Sequence, residues 1–227
     1  MLGVSEGGGE RSEAKLRASP FRALLSLRIR ALASLTTNTV PPPPPSYPDM
    51  LEVGCANGPG GADDPGLSDD ETASHFGAWC IVSSPLILSN DLNNATIMDK
   101  IWPIITNTDA LRVNQAWGGF SGSVFLQAST NITLHDLVNA TGPIPLWQAF
   151  YKPLGDEVGS VAVLVMNHDA APATIAIPLT LVPGLASAVN SVKAFDVWEQ
   201  KAIGPISTSW SVTLRTHQSA FVILALP

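Results

Sequence analysis

Two aspartates stand where chemistry could be built. Asp49 heads the short apolar run Met50-Leu51-Glu52-Val53 that Gly54 ends, and Asp91 follows a second run, Leu86-Ile87-Leu88, by way of Ser89-Asn90. If the two runs are neighbouring strands, about 5 Å apart, both carboxylates can face one pocket. A carboxylate pair in a pocket is equipment for acid–base or nucleophilic catalysis. The plainer alternative is one hydrogen-bonded pocket carboxylate and one aspartate that opens a helix, since capping and surface carboxylates outnumber catalytic ones.

Other chemistry-bearing residues point less far. The acidic group Asp63, Asp64, Asp69, Asp70 and Glu71 has oxygen ligands for calcium but not the spacing of an EF-hand loop. His75, His135, His168 and His217 are scattered without a metal-binding interval, so no metal or cofactor is expected. Ser83-Ser84 lacks the flanking glycines of a nucleophile elbow. The Gly58–Gly61 run lacks the Lys-Ser/Thr of a phosphate loop. Cys55 and Cys80 form no disulfide framework. With a helix starting at Ser68, Cys80 lies ~18 Å along it, beyond the ~7 Å reach of a disulfide. The six tryptophans could stack on sugar rings or fill the core.

The elements that would position these residues can be read from local pattern. Ser68 and Glu71 spell a capping box, and Asp69 and Asp70 favour the positive end of the same helix. Ala73, Phe76, Gly77, Cys80 and Ile81 recur at helical spacing and predict one apolar stripe. Leu86-Ile87-Leu88 predicts a strand buried on both faces. A second helix is expected near 95–106, kinked or restarted at Pro103. Strand, helix, strand, helix is the signature of a parallel α/β sheet, with chemistry beyond the carboxyl ends of its strands. From Ser123 onward the period changes to two. Val161, Val163 and Val165 alternate with Ala162, Leu164 and Met166, and further short runs at 175–177, 192–198, 211–214 and 221–226 lie between turn residues. These predict an antiparallel β-sandwich. The domain reading is therefore 1–46, a disordered low-complexity tail with the polyproline spacer Pro41–Pro45; 47–122, α/β; and 123–227, all-β.

Composition bounds the partners. Of 227 residues, 45% are apolar and 14% charged, enough to bury a core. Six Lys/Arg and three Glu give residues 1–46 a balance of +3, which leaves −10 of the overall −7 on the remainder. An acidic body argues against nucleic acid. No apolar run reaches the ~18 residues of a membrane helix. The Arg- and Ser-bearing start has features of a transit peptide, but its glutamates speak against that, and it reads better as an unstructured tail or a gene-model start joined to a real domain. Asn-x-Thr sequons at Asn94, Asn131 and Asn139 hint at secretion and glycosylation, without a clear signal peptide.

The segments Pro48-Asp49-Met50-Leu51-Glu52-Val53-Gly54, His75-Phe76-Gly77-Ala78-Trp79, Ser84-Pro85-Leu86, Ser89-Asn90-Asp91-Leu92 and Val113-Asn114-Gln115 stand in a fixed order. As a set they resemble the α-galactosidases (melibiases) of glycoside hydrolase family 27. Trp147 to Leu154, Val161 to Asn167, Asp196-Val197-Trp198 and His217 to Leu226 resemble that family's C-terminal β-domain. The resemblance covers roughly Tyr47 to Pro227. It implies a (β/α)8 TIM barrel followed by an antiparallel β-sandwich, of which this chain would carry the last two βα units and the sandwich.

The resemblance also implies retaining hydrolysis of terminal α-galactosides by two aspartates. Both family aspartates precede the Pro-Asp-Met-Leu motif, and no residue before Ser46 is an aspartate here. No catalytic residue is therefore assigned, and the chain is expected to be inactive alone. Asp49 and Met50 match residues that line and support the sugar pocket. The family implies an α-galactoside as partner, no cofactor, a secreted or lysosomal/vacuolar setting, and room for a homodimer. The rival reading is a non-catalytic carbohydrate-binding or structural module.

Overall fold

The computed structural model describes residues 51–56, 66–119, 121–135, 141–155, 159–185 and 191–227. Among these residues three α-helices come first: α1 (Asp69–Ile81), α2 (Ala95–Ile105) and α3 (Thr108–Gln115). Ten strands follow: β1 (Ser123–Gln127), β2 (Asn131–His135), β3 (Thr141–Pro145), β4 (Trp147–Pro153), β5 (Val161–Asn167), β6 (Ala173–Pro178), β7 (Val192–Asp196), β8 (Lys201–Ile206), β9 (Ser209–Leu214) and β10 (Ser219–Ala225).

The strands form a six-stranded antiparallel sheet, ordered β1-β4-β5-β10-β7-β8, and two hairpin-like pairs, β2-β3 and β6-β9. The period-two alternation works as the sequence predicts. Val161, Val163 and Val165 lie in register with Leu224, Val222 and Ala220, and all pack toward Ile175, Ile177, Trp210 and Leu214 of the β6-β9 pair. The intervening Ala162 and Leu164 pair with Ile223 and Phe221 and face the helices. The central strands are thus buried on both faces, between the helical layer and the small sheet.

The helical layer differs from its sequence reading in three places. First, α1 is not striped. Its capping box is formed, with Glu71 N–H donating to Ser68 Oγ at 3.3 Å and Ser68 N–H to Glu71 Oε2 at 3.0 Å, but Glu71, Thr72, Ser74 and His75 are buried as well as Phe76 to Ile81. The helix is covered by the six-stranded sheet on one side and by α2 and α3 on the other, and its polar residues find distant partners. Ser74 Oγ donates to the His217 carbonyl at 2.9 Å.

Second, Pro103 does not break α2. It falls in the last turn, where its missing N–H costs one helical bond near the exposed end. The restart comes at Asn107, whose Oδ1 accepts from the N–H groups of Asp109 and Ala110 (3.1 and 3.0 Å) and starts α3, a helix absent from the sequence reading. Third, Leu86–Leu88 is not buried on both faces. It makes a single parallel bridge, Leu88 with Leu51, and Ile87 is 70% exposed. Among the described residues only the Leu51 segment pairs with this run.

Candidate functional site

Asp49 and Met50, the residues matched to a sugar pocket, lie outside the described residues, as do Asp63, Asp64 and the sequon Asn139. What is described is the ground on which that pocket would stand. Leu51 pairs in parallel with Leu88, and α1 connects the two segments. His75 ties the helix to the first of them: its Nε2 accepts the N–H of Glu52 at 3.0 Å, so that nitrogen carries no proton. The ring stacks at a tilt on Trp79, centroids 3.9 Å apart, one helical turn on. Gly54 ends the first segment at φ +77°, and a Cβ there would stand 2.9 Å from Ile101 Cδ1 and 3.1 Å from Asn90 Cγ. The backbone after Val53 therefore passes directly against the residues that follow Leu88.

Asp91 is exposed, and its Oδ1 accepts from the Asn93 N–H at 2.9 Å in a tight turn before α2. Asp91 thus closes a turn three residues ahead of the helix cap and does not open the helix itself. Asn94 is the N-cap of α2, its Oδ1 accepting from Ile97 N–H at 3.2 Å, and is exposed; Asn131 is exposed at the start of β2. The acidic group at the start of α1 is spent on ion pairs and caps. Asp69 meets Lys100 at 3.1 Å, Asp70 takes a two-pronged bridge from Arg215 at 2.8 and 3.1 Å, and Glu71 closes the capping box. Among the described residues no group of three His, Cys, Asp or Glu side chains could hold a metal ion. Cys55 and Cys80 are both free thiols, in line with the separation argued above. Burial pushes both thiols up, helped at Cys55 by the Glu52 carboxylate.

Beneath this ground lies a junction that sequence reasoning missed. Lys152 of β4 is wholly buried. Its ammonium stands within donating distance of four oxygens, which its three N–H bonds share: the carbonyls of Cys80 (3.2 Å), Asn114 (3.0 Å) and Val113, and Ser83 Oγ (2.7 Å). Three of these acceptors are carbonyls at the C-terminal ends of α1 and α3, where the helix dipoles favour a cation. Ser83 is held at φ +54° within the same cluster. Asn114 completes the seam by donating to the carbonyls of Trp79 and Ser84 at 3.3 and 2.9 Å.

Residues 146–224 match the family model for the alpha galactosidase C-terminal beta sandwich domain. Across this stretch and the residues before it the chain is similar to curated α-galactosidases. An α-galactosidase of Cyamopsis tetragonoloba is 28% identical over 177 residues, which is 78% of this chain and 36% of that protein. The chain spans about a third of the length of the curated relatives it matches. Among solved structures, α-galactosidase I of Mortierella vinacea overlays with a TM-score of 0.58 at 22% identity, covering 78% of this chain and 38% of that one. A family 27 β-L-arabinopyranosidase of Geobacillus stearothermophilus overlays with a TM-score of 0.71 at 18% identity, covering 92% and 43%. At such identities the two structures carry the fold alone. No described helix is long and apolar enough to cross a membrane.

Proposed function

We propose that this chain is the C-terminal part of a retaining α-galactosidase, with residues 47–122 forming the last two units of a (β/α)8 barrel and 123–227 its β-sandwich. The observation that carries this reading is the parallel pairing of Leu51 with Leu88 across α1. Parallel neighbours joined by a helix are the unit from which such barrels are built, and this one directly follows the Pro48-Asp49-Met50 motif. Asp49 and Met50 then support a galactosyl ring. The substrate in this reading is a terminal α-galactoside, and residues 1–46 contain no aspartate that could serve as the catalytic pair, so the 227-residue chain alone does not cleave it.

The test is release of nitrophenol from p-nitrophenyl α-galactopyranoside. The chain as given is expected to release none. Joined to upstream barrel strands that carry the aspartate pair, it is expected to turn over, and Asp49→Ala in that longer protein should raise KM. Robust release by the 227-residue chain would overturn the reading. A secreted or lysosomal/vacuolar setting goes with it, with glycans on Asn94, Asn131 and Asn139. A mobility shift after treatment with a peptide N-glycosidase, lost on Asn→Gln replacement at these positions, checks that part.

A further inference from the structure

The tryptophans sort into two groups. Trp79 and Trp210 are buried, and Trp147 and Trp198 pack partly buried on the core. Trp102 and Trp117 stand 56% and 51% exposed. Trp102 rises from the outer side of α2. Trp117 instead forms one wall of a concavity of about 620 Å³, shared with Thr108, Arg112 and Gln115 of α3 and with Leu154 and Gly155 beyond the end of β4.

Three features separate this concavity from a chance exposed aromatic. Thr108, Arg112 and Gln115 stand at i, i+4 and i+7 and so share one helix face. That face presents a hydroxyl, a guanidinium and an amide beside the indole. The volume falls in the range of small-ligand sites. The backbone under Trp117 is also fixed. A Cβ on Gly155 would stand 2.9 Å from the Trp117 carbonyl oxygen, and one on Gly118 would stand 2.8 Å from the Pro153 carbonyl oxygen, so the two chain segments touch backbone to backbone. With the backbone fixed, only the Trp117 side chain itself has to be ordered on binding.

We propose that this concavity is a carbohydrate-binding surface, with Trp117 as a platform under the C–H face of a pyranose ring and Thr108, Arg112 and Gln115 as partners for its hydroxyls. A pyranoside presents an apolar face edged by groups that both donate and accept. Hydroxyl and amide side chains meet such groups in either sense, and the guanidinium donates to their lone pairs. The body's net charge of −10 disfavours a polyanion on the same surface. The surface would grip a neighbouring part of a saccharide and does no chemistry on it.

The experiment is titration of the 227-residue chain with melibiose, read by calorimetry and by tryptophan fluorescence. Millimolar binding with a change in indole emission is expected. Trp117→Ala should weaken it about tenfold or more, Trp117→Phe should largely keep it, and Trp102→Ala should leave it unchanged. Absence of melibiose binding at tens of millimolar, or equal binding by Trp117→Ala in a folded variant, would each overturn the proposal.

Discussion

Lys152, within β4 of the six-stranded sheet, donates a hydrogen bond to the carbonyl of Cys80 in the last turn of α1, at 3.2 Å. Through the same ammonium the sheet also holds Ser83, Val113 and Asn114. The helical layer and the sandwich are therefore joined by a polar knot in the middle of one shared core, as well as by apolar packing.

Removing that ammonium leaves buried acceptors without a donor. Each such group costs about 1–3 kcal/mol, so Lys152→Met should destabilise the chain by about 3 kcal/mol or more. The readout is a lower urea midpoint at unchanged slope. A change below about 1 kcal/mol would mean that the carbonyls find other donors.

The same lysine gives an alkaline signature. Burial pushes its pKa from 10.5 down to about 8. Between those values the unfolded chain keeps a proton that the folded chain has released, so the contribution of Lys152 to stability rises with pH. Cys80 acts in the opposite sense above its ordinary 9.0, because the folded thiol keeps a proton that the unfolded one loses. The lysine effect is therefore read from pH 8 to 9. There the wild type should gain about 1 kcal/mol relative to Lys152→Met.

His168 gives an acid signature. It is buried just after β5, its Nε2 has no partner, and burial, with His217 adding to it, pushes its pKa from 6.5 down to about 4. Below pH 6.5 the unfolded chain takes a proton that the folded chain refuses, so stability falls as the pH drops toward 4, by about 3 kcal/mol in all. Denaturation at pH 7, 5.5 and 4.5 should show this fall in the wild type and less of it in His168→Phe. Parallel curves would assign the acid loss to another group.

Gly122 marks the passage from helices to sheet. Its N–H donates to the Ile81 carbonyl at 2.9 Å. A Cβ there would meet Ile81 Cγ2 at 2.5 Å, the Tyr151 carbonyl oxygen at 2.6 Å and the Ile81 carbonyl oxygen at 2.7 Å. Two of these are backbone atoms that cannot swing aside. Gly122→Ala should cost about 2 kcal/mol in the same urea assay.

The parts that could be read in advance depend on neighbours a few residues away. The Ser68–Glu71 box, the start of a helix behind Asn94 and the alternation of Val161–Met166 follow from local hydrogen bonding and period. The α3 helix left a signal as well, since Asn107-Thr108-Asp109 is a good helix start, while the restart is expected at Pro103, four residues before Asn107. Asp91 was open between two roles, and its contact with Asn93 is the local one.

What local pattern could not reach is burial that arises between segments far apart in the chain. Ser74, His75 and Lys152 are polar, yet each is buried where a group far along the chain meets it: the His217 carbonyl, the Glu52 N–H and the carbonyls closing α1 and α3. Ile87 is the converse, an apolar residue that reads as core and stands exposed. Residue order alone was enough for the caps, the strand periods and the family resemblance, since those are set by chemistry within a turn or a motif. Which faces are covered, and where Lys152 and Trp117 end up, was decided by packing, because burial belongs to the surfaces that meet and no short window contains both.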